Sequence, residues 1–457
     1  MTFDKQLVYD IINKVPDYKE FLTIKELYDS SRKLVREHND VAELIEVGPS
    51  RADIPVEALV IHGGEEKRVL AFAFPHPNEP IGSLTLEALS WILVVNREYI
   101  RRLNTTWIMV KVADVFGTKL NEGWFKGEFD IRKYVLNYYR PPPYKQVEWT
   151  FPIEYKTLKW SSPVLETKAL MKLIDEWKPT HIYSLHNAGF MGTYYYVTRK
   201  PPKEVLDILK EIPGKLGVPI HKGEPETPYM KKIDEAVFLM PSTIEAYDWL
   251  EKYLGRDPAT ILKHGGSSYD YAKRVNPEVF ELVCEVPYIY DDRLDNDTQI
   301  GIPRREILKL AINRSKKTLY EVKELFNKLE PHASPDNPFY EAIKSFIEYS
   351  EHHIKAEEKW IEQEPSLDES ATVAQAFNAY LNTYWGPLLR YGLLYRAIDY
   401  EYKRNPLNML KELKHASLAK INDYMETFNK LAKYYIVPIR NLVQIQMSAI
   451  ISTVMSI

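Results

Sequence analysis

Short apolar runs that look like strands alternate with helical patterns over the first 300 residues, and this alternation constrains the fold more than any other feature. Strand-like runs occupy residues 56–63, 68–76, 107–113, 181–187 and 279–288. Helical patterns occupy residues 21–37, 81–100 and 166–177, and the second of these is apolar enough to be buried. Strands interleaved with helices are typical of an α/β sandwich whose sheet is covered on both faces.

The pattern changes near residues 302–303. From residue 304 onward the chain consists of long helical patterns separated by the loop signals PHASPDNP and NPLN. A chain of 457 residues is longer than a single hydrophobic core usually supports, so we expect two domains. We predict an α/β catalytic domain over residues 1–300 and an all-α domain of four to six helices over residues 301–457. This second domain either caps the site or mediates formation of a homo-oligomer.

Composition limits the partners that the chain can have. The formal net charge is −4, which gives no electrostatic reason to expect a nucleic acid or an anionic membrane. One cysteine, Cys284, excludes an intrachain disulfide. The amino terminus lacks the pattern of a secretory signal, and the apolar segment 441–457 is short for a bilayer, so we predict a buried terminal helix. We therefore expect a cytoplasmic protein.

Four polar residues stand at the ends of predicted strands, where an open α/β sheet places its site. His76 and Glu79 follow one strand in the string PHPNEPIG, and His186 closes another. Two histidines and one glutamate form a known catalytic zinc set that leaves a position open for water. Glu285, at the end of a strand in CEVPY, is suited to take the proton of that water.

Five motifs in order extend this pattern across some 270 residues. They are VAELIEVGPSRADIPVEALVI, PHPNEPIG, SSPVLETKALMKLIDEWKPTHIYSLHN, GGSSYDYA and ELVCEVPY. As a set they resemble the zinc carboxypeptidase A family and its relatives, the succinylglutamate desuccinylases and aspartoacylases. The resemblance implies an α/β/α sandwich around a mixed sheet and hydrolysis of a peptide or amide bond. It also implies one Zn²⁺ ion held by His76, Glu79 and His186.

The resemblance assigns further roles to individual residues. Glu285 would act as general base and then as general acid, with Glu281 as the fallback on the same strand face. Arg140 matches the arginine that polarises the scissile carbonyl in the family, and Arg132 is the second choice. Asp114, at the end of a strand, is a candidate partner for a zinc-bound histidine.

The substrate pocket departs from the family. Glu148 and Trp149 stand where the family has an Asn-Arg pair that clamps the free carboxylate of the substrate. A glutamate there would repel a carboxylate, so we predict a substrate that presents an amine or a neutral polar group in that subsite. The tyrosine expected before the Gly-Gly turn is absent, and Tyr269 or Tyr271 is its candidate substitute. Asn187 is a further candidate to orient a ligand or to contact substrate.

Three functions remain open at this point. The favoured one is a zinc-dependent hydrolase that acts on a small peptide or amide. The second is a deacylase of N-acyl amino acids, like the desuccinylase and aspartoacylase branch. The third is a binding or scaffold protein that keeps the fold without catalysis.

Overall fold

Four parallel strands form the centre of a ten-stranded mixed sheet in the computed structural model, which describes residues 3–457. The strands of the chain are β1 Ala42–Gly48, β2 Val56–Ile61, β3 Lys67–Ala73, β4 Thr105–Val110, β5 Ile153–Tyr155, β6 Leu158–Trp160, β7 His181–Phe190, β8 Tyr194–Val197, β9 Lys232–Asp234, β10 Val237–Leu239, β11 Phe280–Tyr290, β12 Gln299–Pro303, β13 Ser370–Thr372 and β14 Tyr435–Ile436. The sheet order is β1-β2-β4-β3-β7-β11-β8-β10-β9, with β14 added to the end of β11.

The register of the central strands determines which side chains meet. β4, β3, β7 and β11 are mutually parallel, and β11 is buried along its whole length and β7 at every residue except Gly189. His186 of β7 is paired directly with Glu285 of β11, and Leu185 is paired with Ala73, the last residue of β3. The segment that follows β3 therefore leaves the sheet beside His186.

Helices cover both faces of the sheet, as the sequence predicts. The helices are α1 Lys5–Ile12, α2 Ile24–Glu37, α3 Ile81–Val95, α4 Arg97–Leu103, α5 Val115–Asn121, α6 Ile131–Asn137, α7 Leu165–Trp177, α8 Lys203–Lys215, α9 Thr243–Leu254, α10 Ser268–Val275, α11 Arg304–Leu329, α12 Pro338–Gln363, α13 Val373–Arg404, α14 Asn408–Leu431 and α15 Ile439–Ser456. α3, α8 and α15 form one layer, and α7 and α10 belong to the other. The α/β/α sandwich followed by a helical region is confirmed.

Two element boundaries differ from the sequence prediction. The helix predicted over residues 81–100 ends at Val95, and a separate helix starts at Arg97. Asn96 ends the first helix with a non-helical backbone, and its side chain donates to the Ile92 carbonyl at 2.8 Å. An asparagine side chain that bonds to the backbone in this way competes with the helix. β7 also continues beyond the predicted end at Asn187 to Phe190.

The last helix returns to the sheet. α11 to α14 pack on one another, whereas α15 packs against α3, α8 and β11 and is buried along most of its length. The predicted buried terminal helix is thus observed. Among residues 3–457, no helix has both the length and the apolar character that a bilayer crossing requires. The division of the chain into two domains at residue 300 remains a prediction. The first two residues of the predicted catalytic domain lie outside the described part of the chain.

The helical region also contacts the sheet through α13. The indole of Trp385 packs on Gly189 of β7 so closely that a Cβ added at Gly189 would lie 2.5 Å from the indole nitrogen. Polar contacts secure the same boundary. Lys145 is 2.6 Å from Glu341 of α12, and Arg396 of α13 donates to the Asn137 carbonyl at 2.6 Å. The helical region is therefore fixed against the sheet at the edge where β7 ends.

We predict that Gly189→Ala destabilises the protein by about 1–3 kcal/mol, because the new methyl group overpacks a rigid indole. Gly386→Ala is the matched control: it lies one residue from Trp385 in α13, and an added Cβ meets no atom within 4 Å. Alanine there should stabilise by up to about 1 kcal/mol through helix propensity. Urea unfolding measures both changes. Equal stabilities of the two variants would contradict the tight contact.

Candidate metal centre

The loop after β3 has a strained backbone that directs two polar side chains inward. Phe74, the first residue beyond β3, has φ +54°, a conformation that aromatic residues rarely adopt. His76 and Glu79 follow, and both are almost fully buried. α3 then begins very close to the sheet, because a Cβ added at Gly82 would lie 2.6 Å from the Leu185 Cβ. Glycine at this position allows the loop to approach β7.

Three side chains converge on one point. The candidate ligand atoms of His76, Glu79 and His186 all lie within 4.8 Å of one another. His186 Nδ1 is 2.9 Å from Glu79 Oε2, and the two imidazole rings are 4.9 Å apart. His76 Nδ1 is buried and has no hydrogen-bond partner. Burial, with smaller contributions from Arg140 and His186, lowers the pKa of His76 well below its usual value.

This set fits a zinc ion. Neutral imidazoles and a carboxylate are ligands of catalytic zinc sites, and three protein ligands leave one coordination position open. The low pKa keeps His76 in the neutral form that a metal requires. The Nδ1 atom of His76 is buried without a hydrogen-bond partner, and in the neutral ring its lone pair could bind a metal cation. Among residues 3–457, one group of three or more histidine, cysteine or acidic side chains has a spacing that suits a metal ion, and it consists of His76, Glu79 and His186.

Neighbouring groups orient these side chains. His186 Nε2 lies 2.9 Å from the hydroxyl of Ser184, two residues earlier on the same strand face. The backbone N–H of Asn187 donates to Glu79 Oε2 at 3.3 Å, and the Asn187 Oδ1 accepts from the Ile81 N–H at 3.1 Å. Asn187 therefore connects the loop of Glu79 to β7. A partner that fixes the second nitrogen of a ligating histidine is usual in zinc sites.

The hydrogen bonds of Asp114 go to Arg51 and α5 and not to the histidines. Its carboxylate caps α5 through the Gly117 N–H at 2.8 Å and pairs with Arg51 at 3.1 Å. Arg51 in turn is 2.8 Å from Glu166. Both contacts of Asp114 are to Oδ1, and Asp114 Oδ2 is buried without a hydrogen-bond partner, so the expectation that Asp114 orients a histidine stays a prediction.

A carboxylate and a guanidinium stand beside the three candidate ligands. Glu285 Oε1 is 3.7 Å from His186 Nδ1, as the pairing of β7 with β11 requires. Burial, followed by the charges of Glu79 and Glu226, raises the pKa of Glu285 well above its usual value. Arg140 Nη1 is 3.1 Å from Glu79 Oε1. The group thus contains a carboxylate, a guanidinium and three side chains that could hold a cation.

These residues line a cavity of about 620 Å³. Glu148, Trp149 and Asn187 also line it, as the sequence predicts for a substrate pocket. Its charged lining residues are the glutamates Glu79, Glu148, Glu226 and Glu285 and the arginine Arg140. The remaining wall is aromatic, aliphatic or neutral and polar.

Three candidates from the sequence lie elsewhere. Arg132, on α6, points to α14, where Asn422 accepts its hydrogen bond. Tyr269, on α10, packs under the ammonium group of Lys273. Glu281 is buried on β11, where Ser268 donates to it at 2.6 Å. None of these three belongs to the lining of the cavity described above.

Several lining residues were missed by sequence reasoning. α12 contributes Tyr349, and α13 contributes Asn382, Trp385 and Leu389. Glu226, exposed at the cavity wall, accepts from the Tyr196 hydroxyl at 2.6 Å. The aromatic stripe around residue 385 was a signal, but such a stripe more often indicates a core. The helical region thus forms part of the wall of the cavity that also contains the candidate metal ligands.

Comparison with known proteins finds no matching family profile and no similar curated protein. Carboxypeptidase A from Helicoverpa armigera is 15% identical, covers 62% of this chain and 70% of its own, and has a TM-score of 0.38. A Shewanella amazonensis protein described provisionally as a metallopeptidase is 15% identical, with 58% and 84% covered and a TM-score of 0.39. A metallo-carboxypeptidase from Burkholderia cenocepacia is 12% identical, with 58% and 60% covered and a TM-score of 0.32. Likeness at this level carries no argument for function, which rests on the geometry of the site.

Glu281→Gln tests the fallback base. Burial raises the pKa of Glu281 to about 8. The folded state therefore holds a proton that the unfolded state releases near pH 4.5, so the protein loses stability as the pH rises from about 4.5 to 8. Glutamine cannot ionise, so the variant should lose less stability than the wild type between pH 6 and 9, as thermal unfolding at several pH values would show. Parallel stability profiles would contradict the buried titration, and a large loss of hydrolysis would return Glu281 to the catalytic candidates.

Proposed function

We propose that this protein is a zinc-dependent hydrolase that cleaves an amide bond in a small substrate. The observation that carries the proposal is the convergence of His76, Glu79 and His186 beside the Glu285 carboxylate within one cavity. A zinc ion in this set would supply a Lewis acid that polarises a carbonyl and lowers the pKa of water.

Glu285 is proposed as the general base. It lines the cavity, it is buried, and its carboxylate lies beside a candidate ligand rather than in an ion pair with a lysine or arginine. Such a carboxylate can take the proton of the attacking water at its Oε atoms and then deliver that proton to the leaving nitrogen. A single carboxylate is therefore enough for both proton transfers, first from the water and then to the leaving nitrogen.

Arg140 is proposed to stabilise the negative charge that develops on the carbonyl oxygen. Its guanidinium is anchored on Glu79 Oε1 through Nη1, and it lines the same cavity. A fixed donor that is oriented before the reaction lowers the barrier, because the site does not have to reorganise during the step.

The cavity favours a small substrate. Its volume of about 620 Å³ is typical of a pocket for a small molecule. Trp385 and Asn382 of α13 and Trp149 belong to its lining. We therefore propose cleavage near the end of a short substrate. Because Glu148 lines the cavity, we propose that an N-acyl amino acid with a free carboxylate in that subsite is disfavoured.

Metal content tests the centre. Wild-type protein reconstituted with zinc should hold one ion per chain, and His76→Ala should lose most of it, because two side chains bind zinc far more weakly than three. His264→Ala is the control, since His264 lines the same cavity outside the candidate ligand set. Elemental analysis after dialysis measures all three proteins. Equal zinc in both variants would rule out His76 as a ligand.

Glu285→Gln separates metal binding from catalysis. The variant should keep its zinc and lose roughly 100- to 10,000-fold in kcat, because an amide cannot transfer the proton. Turnover of an amide substrate by the zinc-loaded proteins is the measurement. A kcat within about threefold of the wild type would remove Glu285 from the mechanism.

A further inference from the structure

Glu148 is a buried carboxylate that faces the cavity without a lysine or arginine partner. It is 4% exposed, and it lines the cavity wall. The Ser184 hydroxyl donates to its Oε2 at 3.2 Å, and His186 Nε2 lies 3.9 Å from the same atom. No lysine or arginine among residues 3–457 lies within 4.0 Å of it. The carboxylate therefore has one neutral hydrogen bond and an open side toward the cavity.

Several other buried carboxylates of this chain have a cationic partner. Glu87 is 2.6 Å from Lys111, and Glu166 is 2.8 Å from Arg51. Within the cavity, Glu79 has Arg140 as its partner. A buried carboxylate without a positive charge nearby is costly, so proteins usually pair it. Among the described residues that line the cavity, Glu148 and Glu285 are the buried carboxylates without a lysine or arginine within 4.0 Å. Glu285 lies beside His186 Nδ1 as the proposed base, which leaves Glu148 without an assigned role.

Arg140, which is paired with Glu79, is the cationic side chain of the cavity, and it lies more than 4.0 Å from the Glu148 carboxylate. Trp149 and His264 contact each other with ring centroids 5.8 Å apart, and Ser267 and Leu262 line the same cavity. The four glutamates outnumber the positive charges of Arg140 and one divalent ion by one. With all four carboxylates ionised, a metal-loaded cavity would carry one excess negative charge, and Trp149, whose indole is a group that attracts cations, lines the same cavity.

We propose that Glu148 binds an ammonium group of the substrate, which makes the substrate class a small amide that carries a primary amine a few bonds from the cleaved bond. The proposal rests on the proposed hydrolase function and deepens it. A charge-assisted hydrogen bond to an ammonium supplies the partner that the carboxylate lacks, and the neighbouring Trp149 adds a cation-attracting indole to the cavity wall.

A positioning role for Glu148 makes different predictions. Glu148 could act through Ser184 on His186 and so hold the metal, in which case its loss would weaken zinc binding and slow every substrate alike. Ser184→Ala would then reproduce Glu148→Gln. Recognition of an ammonium predicts instead that the effect of Glu148→Gln depends on the charge of the substrate, and that Ser184→Ala keeps most of the charge preference.

The test uses three N-benzoyl amides that differ at one end: those of trimethylenediamine, propylamine and β-alanine. A second set places the ammonium, methyl or carboxylate end in the acyl half. Zinc-loaded wild-type protein should prefer the ammonium member of at least one set by about 10- to 100-fold in kcat/KM. Glu148→Gln should abolish that preference while the neutral substrate changes by less than about threefold. Glu226→Gln, which removes the same charge from an exposed part of the cavity wall, should keep most of it.

Four results would overturn the proposal. They are the absence of an ammonium preference in both sets, a preference for the carboxylate, a preference that survives Glu148→Gln, and an equal loss on all substrates accompanied by loss of zinc. If no amide is hydrolysed, the hydrolase proposal fails by itself. Calorimetry on zinc-loaded protein then decides the subsite, because propylamine, which is protonated at neutral pH, should bind at least tenfold more tightly than 1-propanol in the wild type and not in Glu148→Gln.

Discussion

The parallel register of β3, β7 and β11 is the constraint on which the site depends. Adjacent strands lie about 4.8 Å apart, so residues paired across them must be neighbours. The pairing of His186 with Glu285 places a candidate ligand beside a candidate base, and the pairing of Leu185 with Ala73 brings the loop of His76 to the same edge. A shift of one residue in either pair would turn these side chains to the opposite face.

Burial of the carboxylates in the site raises the free energy of their charged forms, so each needs compensating contacts or a partner. Glu79 makes three of the polar contacts in the site. Its carboxylate accepts a hydrogen bond from the Asn187 N–H, forms an ion pair with Arg140 and lies 2.9 Å from His186 Nδ1. These contacts compensate for a carboxylate that is 3% exposed. Glu285 and Glu148 have fewer partners, which leaves them available for a proton and for a charged substrate group. The helical region encloses the cavity with Trp385, and its tight contact with Gly189 holds that wall in place.

The fold and the candidate metal ligands could be predicted from the sequence because their signals are local. A strand followed by a tight turn with His76 and Glu79 reads as one motif, and His186 marks the end of another strand. Arg132 and Tyr269 were predicted from their positions in the sequence, but the direction of a side chain depends on packing. Arg132 donates to Asn422 of α14, and Tyr269 packs under Lys273, so neither lines the cavity.

The wall of the cavity could not be predicted because it comes from distant segments. Asn382 and Trp385 lie almost 200 residues beyond His186 in the chain, and no periodicity indicates which face of α13 meets the sheet. Ser184 was predictable in principle, since residues two apart on a strand share a face. Glu226 carries no local signal, because it lies in an irregular segment between α8 and β9.

The most direct test of the central claim is X-ray absorption at the zinc edge of the reconstituted protein. The account predicts two imidazole nitrogens at about 2.0–2.1 Å and carboxylate oxygen at about 2.0–2.2 Å, with one imidazole lost in His186→Ala. A zinc shell without imidazole, or one unchanged by the substitution, would contradict a metal centre at the ends of these strands.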